Sequence, residues 1–176
     1  MPRGPKLRAK ALAKKLRIVL IEPEIPPNTG AIARTAAATQ SALHLVGKLG
    51  FRIDEQSVRR AGLDYWPLVD LHTHPDLDDF CEKHPEARLH LFSGSGVRSY
   101  LEMDVAPGDA LVFGKESVGL DTSLLEAHPD RVWAIPTLGP VRSLNLSNAA
   151  AVVTFEALRR LGALENPFLA DDAIGR

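Results

Sequence analysis

IPTLGPVRSLNLSN (135–148) follows a short apolar segment at 131–135 and opens a long helical pattern at 145–161. An apolar run, a loop rich in proline and glycine and then an amphipathic segment read as strand, loop and helix. The helical pattern places Leu146, Ala149, Ala150, Val153, Ala157, Leu158 and Leu161 on one stripe, and Gly162 follows as its stop. The same order occurs twice upstream. RIVLIE (17–22), rich in β-branched residues, reads as a buried strand; PEIPPNTG (23–30) follows, then an Ala-rich helical stretch at 31–40. Pro23, Pro26 and Pro27 are expected to break regular structure, and Asn28 or Thr29 to cap the helix. ALVF (110–113) leads into GKESVGL (114–120) and a short helix at 122–127 capped by Asp121. Strands are also expected at 42–46, 65–71 and 88–92, with 131–135 the last, a loop at 47–50 and helices at 54–61 and 75–83. Strands alternating with helices predict an α/β domain on a mainly parallel sheet flanked by helices.

The chain has 176 residues, 45% of them hydrophobic and 24% charged, which fits one globular domain and excludes global disorder, collagen and coiled coil. No apolar run approaches a bilayer span, so no membrane partner is expected. The basic N-terminus lacks the apolar segment of a secretory signal. The single cysteine, Cys81, excludes a disulfide framework, and a reducing cytoplasm is the expected setting. Charge is uneven: residues 1–17 hold seven of the 21 basic residues and no acid, leaving 14 against 22 acidic residues elsewhere. The expected organisation is a flexible basic extension at 1–16, a domain at 17–162 and a tail at 163–176. The extension is either a polyanion-binding arm or a solvated tail.

In open α/β sheets, ligands bind outside the carboxyl ends of strands. The polar groups of the three loops, the first of which leads to Arg34, are therefore candidates for one shared site, although Asn28, Ser143, Asn145, Ser147 and Asn148 also read as helix caps and Arg34 as a surface or ion-pair arginine. Lys115 after Gly114 lacks the spacing of a phosphate-binding loop, and Gly94-Ser-Gly96 lacks the third glycine of a dinucleotide fingerprint. His72, His74, Cys81, His84 and His90 cluster in sequence but match no zinc spacing, so no metal site is expected and Cys81 reads as a small core residue. Trp133 reads as core. RRAGLDYW (59–66) sets Arg59 and Arg60 beside Tyr65 and Trp66, which suits phosphate contact with base stacking, or an ordinary basic helix end.

IVLIEPEIPPNTGAIAR (18–34), RRAGLDYW (59–66), LVFGKESVGL (111–120) and IPTLGPVRSLNLSNAAAVVTFEALRRLG (135–162) together resemble the SPOUT class of RNA 2′-O-ribose methyltransferases. Within it they are similar to the enzymes acting on tRNA nucleotide 34, cytidine or uridine. The resemblance spans residues 17–162. It implies a C-terminal trefoil knot, S-adenosyl-L-methionine as methyl donor, a homodimer, and the tRNA anticodon stem-loop as substrate. By the same likeness, Phe92, Gly114, Ile135, Ser143 and Leu144 bind the donor. Arg34, Asn28, Glu116 and Asn145 match catalytic positions, and Arg59, Arg60 and Tyr65 are assigned to substrate binding. Two features depart from the pattern: residues 1–16 precede the usual start, as an RNA-binding arm or through start-codon choice, and Phe155 stands where some relatives carry tyrosine. Two other functions stay open: the same methylation at another tRNA site or on rRNA, and a non-catalytic RNA-binding dimer.

Overall fold

The structure, a computed structural model, describes residues 5–50 and 65–170. In chain order it contains β1 (Lys6–Arg8), β2 (Arg17–Ile21), α1 (Pro26–Thr39), β3 (Ala42–Val46), β4 (Asp70–His74), α2 (Leu77–Lys83), β5 (Leu89–Phe92), β6 (Arg98–Ser99), β7 (Ala110–Phe113), α3 (Thr122–Ala127), β8 (Val132–Ala134), α4 (Leu146–Arg160) and β9 (Phe168–Ala170). Seven strands form one sheet in the order β4-β3-β2-β7-β5-β8-β6, and every neighbouring pair is parallel.

A parallel sheet covered on both faces needs strands that are apolar throughout. β3 and β7 meet that demand, with every residue buried. On one face Ile18, Leu20, Leu43, Leu45, Leu111 and Phe113 pack with Ile32, Ala33 and Ala36 of α1 and Ala150, Val153, Ala157 and Leu158 of α4. On the other face Val19, Val46, Leu91 and Val112 pack with Phe80 of α2 and Leu124 and Leu125 of α3. Each fully buried leucine or isoleucine in these layers contributes about 1.5–3 kcal/mol. The alanines where α1 meets α4 keep that helix pair close.

The topology locates the functional end. From β2 the chain moves outward to β3 and β4, whereas from β7, next to β2, it moves the other way to β8. Such a reversal opens a crevice at the carboxyl ends of the two central strands. The loops after β2 and β7 flank that crevice.

Several local expectations are corrected. α1 begins at Pro26, five residues before the alanine-rich stretch, because proline in the first helical turn loses no hydrogen bond. Asn28 and Thr29 therefore do not cap it; both are buried within its first turn, and Ile25 occupies the cap position with no side-chain bond. The strand expected at 65–71 is a 3₁₀ turn, Trp66–Leu68, followed by β4, since Pro67 offers no N–H to a ladder. Trp66 is thus outside any strand. Asp121 sits at the start of α3 without a side-chain cap bond. β8 is not the last strand, because β9 pairs antiparallel with β1, Leu7 opposite Leu169. No strand was expected in either terminal segment. Leu16, also assigned to the extension, is fully buried in the core. The helix expected at 54–61, and with it Arg59 and Arg60, lies outside the described residues. No helix among the described residues is long and apolar enough to cross a membrane.

Candidate active site

Pro26 and Pro27 at the start of α1 carry no N–H, and the two N–H groups just before them are bound by a carboxylate from the loop after β7. Glu116 accepts the Glu24 N–H through Oε2 at 2.8 Å and the Ile25 N–H through Oε1 at 3.3 Å. The N-terminal end of a helix carries partial positive charge, so a carboxylate there is favoured. The same Oε1 accepts Asn28 Nδ2 at 2.9 Å. Since a carboxylate only accepts, the Asn28 amide is oriented with its oxygen outward. That oxygen accepts Asn145 Nδ2 at 3.0 Å. Asn145 can donate there because its own Oδ1 caps α4, accepting the Ser147 and Asn148 N–H groups and the Ser147 hydroxyl.

Asn28, Glu116 and Asn145 thus form one network across three loops, each polar group with a defined direction. Residues not singled out from the sequence reinforce it. Glu24 accepts both the N–H and the hydroxyl of Ser117, each at 2.9 Å. Those bonds hold its carboxyl below the ordinary carboxylate range. Glu22 pairs with Lys115, whose hydrogen bond likewise lowers the glutamate. Arg142 Nη2 donates to the Ser117 carbonyl at 3.4 Å. All five lie inside the motif segments, and their alternation of acid with donor was the available signal.

Arg34 is not part of this network. It is exposed, six residues beyond Asn28 on α1, and therefore about 9 Å further along the axis and on another side of the helix. Asn28 bonds Glu116 and Asn145, not Arg34. Tyr65 is the neighbour that matters. Its hydroxyl donates to the Gly30 carbonyl at 2.8 Å, and the Arg34 guanidinium lies 4.7 Å from its ring centroid.

The expected donor-binding residues separate into two kinds. Phe92 is buried and stacks on Phe113 with centroids 4.9 Å apart, and Ile135 packs on the same core. Their side chains support the loops from below. Ser143 and Leu144 are exposed on the third loop. Gly114 is required by the chain itself: a Cβ there would lie 2.2 Å from the Gly119 carbonyl carbon, because residues 115–119 fold back in a tight turn over it. Gly114→Ala must push this loop away, at a cost of about 1–3 kcal/mol. We expect it to weaken donor binding at least tenfold by calorimetry while the far-ultraviolet dichroism stays unchanged. Unaltered binding would show that the loop turn is irrelevant to the donor.

The loops after β5, β7 and β8 also touch one another. The open side of Gly94 faces the Arg142 carbonyl at 3.5 Å, and Arg142 reaches Ser117. Around them stand the exposed apolar side chains Val118, Leu138, Val141 and Leu144. Apolar side chains, close backbone and a nearby carboxylate match a ligand combining a neutral ring with a cationic centre.

The profile of the SpoU rRNA methylase family matches residues 15–155. The chain belongs to that family. A SpoU relative from Saccharophagus degradans, tRNA (cytidine(34)-2′-O)-methyltransferase, is 47% identical over 146 residues, covering 82% of this chain and 95% of its own. The enzyme of the same description from Escherichia coli K12 is 43% identical over 148 residues, covering 84% and 94%. Among solved structures, one concerning the 2-OH methylation of C/U34 on tRNA superposes with a TM-score of 0.78 at 46% identity, covering 84% of this chain and 97% of that one. SpoU membership makes the chain a methyltransferase on the parallel-sheet scaffold described above.

Proposed function

We propose that this protein transfers a methyl group to the ribose 2′-hydroxyl of tRNA nucleotide 34, a cytidine or uridine derivative, with S-adenosyl-L-methionine as donor. The observation that carries the reading is the Asn28–Glu116–Asn145 network joining the loops after β2, β7 and β8. The named relatives supply the substrate.

When bound, the donor supplies an electrophilic methyl group on a sulfonium. Loops 93–96, 114–119 and 135–145 would hold it, with Gly114, Ser143 and Leu144 lining it, while Phe92 and Ile135 brace the loops beneath. The Glu116 charge favours a cation nearby. Arg34 binds the phosphate beside the target ribose and orients the 2′-oxygen for in-line approach. A guanidinium stays protonated, so its role is positioning and polarisation rather than proton removal. Tyr65 fixes the guanidinium plane instead of meeting the substrate directly. Arg59 and Arg60 remain assigned to the anticodon stem-loop on the sequence alone.

The working unit in this reading is a homodimer in the cytoplasm. Val152 and Phe155 of α4 are exposed apolar side chains of the kind a second copy would cover. A trefoil knot at the C-terminal end fits the insertion of β7 between β2 and β5 and the return of α4 onto α1.

The test is incubation of the full chain with labelled S-adenosyl-L-methionine and tRNA lacking the modification, followed by nuclease mapping. Label at the 2′-oxygen of nucleotide 34 is expected. Label at another nucleotide would reassign the substrate, and a folded protein that binds no donor would favour an RNA-binding module.

The basic extension also has a measurable role in this reading. Lys6 and Lys10 are exposed, on or just beyond the ribbon that β1 forms with β9. Replacing both with alanine is expected to lower the slope of log affinity against log salt by about one unit for each phosphate no longer neutralised. An identical slope would make the extension a bystander.

A further inference from the structure

On the sheet face covered by α2, opposite α1 and α4, folding collects histidines that lie far apart in sequence. His44 in the middle of β3, His74 at the end of β4 and His84 at the end of α2 each bring one ring nitrogen within 4.8 Å of the other two. Cys81 and His90 are not in the group. His90 instead accepts the Trp133 indole N–H and donates to Asp109. His44 was not among the residues that the sequence clustered.

The hydrogen bonds fix which nitrogens carry lone pairs. Asp79 accepts from His74 Nδ1 at 2.7 Å, so His74 Nε2 is left as an acceptor. His44 Nδ1 faces that Nε2 at 2.9 Å and is therefore the donor between them. His44 Nε2 then bears a lone pair. It is fully buried and has no hydrogen-bond partner among the described residues. His44 and His84 line a cavity of about 480 Å³, together with Arg17, Asp70, His72 and Glu86. A buried lone pair beside two more imidazoles, one of them oriented by a carboxylate and the other lining the cavity, is the arrangement of a metal-binding histidine cluster with its supporting shell.

We propose that His44, His74 and His84 form a structural binding site for a divalent ion of the zinc class. Imidazole ligands suit such ions. Tetrahedral ligation at about 2.0–2.1 Å places ligand nitrogens about 3.3 Å apart, so the ion would displace the His44–His74 hydrogen bond, freeing the His74 Nε2 lone pair, and ring rotations would bring the three nitrogens onto it. The cavity supplies the entry path and leaves the fourth position to water. Arg17, Lys14 and Lys15 also line the cavity; Arg17 pairs with Glu86, Lys15 with Asp70 and, nearby, Lys83 with Asp79, which offsets part of their repulsion of a cation. The ion would tie the edge strand β4 and the C-terminal end of α2 to β3.

The experiment uses tag-free, full-length protein stripped with a chelator and titrated with Zn²⁺ by calorimetry and with Co²⁺ by visible absorption. One equivalent of Zn²⁺ per chain is expected, with Co²⁺ giving the intense d–d bands of a four-coordinate site. His84 is partly exposed at a helix end, so His84→Gln should keep the fold, checked by circular dichroism, while weakening Zn²⁺ at least tenfold. His74→Gln should act likewise, and His128→Gln, on a distant loop, should leave affinity unchanged. Failure of the wild-type chain to bind either ion at one per chain overturns the proposal. Binding that survives undiminished in His84→Gln does so too.

Discussion

Replacing Arg34 with alanine is expected to reduce methyl transfer by about a thousandfold or more while leaving donor affinity within about twofold. General positioning of one reactant against another is worth several kcal/mol, and a misplaced nucleophile loses about 10²-fold for each ångström. The structure separates the two variables. The loops proposed to hold the donor are braced by Glu116, Glu24, Arg142 and Asn145, none of which bonds Arg34. The arginine is instead exposed on α1 and rests on the Tyr65 ring. An exposed cation–π contact is worth about 0.5–1 kcal/mol, so the alanine variant should also keep its stability to within that amount. Arg34→Lys keeps the charge but loses the planar fork, and an intermediate rate is expected. Single-turnover methylation measured beside donor calorimetry decides the matter. A rate within threefold of the parent would remove Arg34 from the reaction.

The parallel-sheet scaffold and its three site-bearing loops were legible because each depends on local chemistry. β3 and β7 are apolar or buried along their full length and β2 nearly so, as strands covered on both faces must be. Asn145, one of several polar residues that the sequence offered as a cap for α4, is the one that caps it. The misses arise where long-range contact overrides local preference. Asn28 looked like a cap and is a buried bridge to Glu116, nearly ninety positions away, which also binds the N–H groups just before the helix. The demand that the turn at 115–119 places on Gly114, whose Cβ would meet the Gly119 backbone, was likewise not visible in the sequence. His44 sits in an apolar strand with no nearby histidine in sequence; its neighbours come from β4 and the end of α2, and no spacing rule finds them. The β1–β9 ribbon was missed because three-residue strands carry no periodic signal.

The second large effect concerns stability. Asp109 is buried just before β7 and accepts bonds from Arg88, from His90 Nε2 at 2.9 Å and from the Ala106 N–H at 2.8 Å. His90 is oriented by Trp133, whose indole can only donate, so the imidazole must present its proton to Asp109. Burial by itself raises the carboxyl, but the bonds from His90, Arg88 and Ala106 outweigh it and hold Asp109 well below the usual carboxylate range. Asp109→Ala strands the His90 and Ala106 donors in the interior and removes one of the two carboxylates that Arg88 holds, leaving it Asp104. Breaking a buried pair in this way costs about 3–5 kcal/mol. For a chain of this size that corresponds to a fall in Tm of about 10 °C. The pH dependence has a definite sign. A depressed carboxyl stabilises the folded state fully above its unfolded value of about 3.9, and that stabilisation is lost as pH falls through the folded value. The gap in stability between parent and variant should therefore be constant from neutrality down to about pH 5 and narrow under stronger acid. Because Asp109 lies at the opposite end of β7 from Glu116, methylation by the variant below its Tm should persist. Denaturant melts of both proteins across that range provide the check. Equal stability at neutral pH would mean that water or a shifted Arg88 replaces the carboxylate without loss.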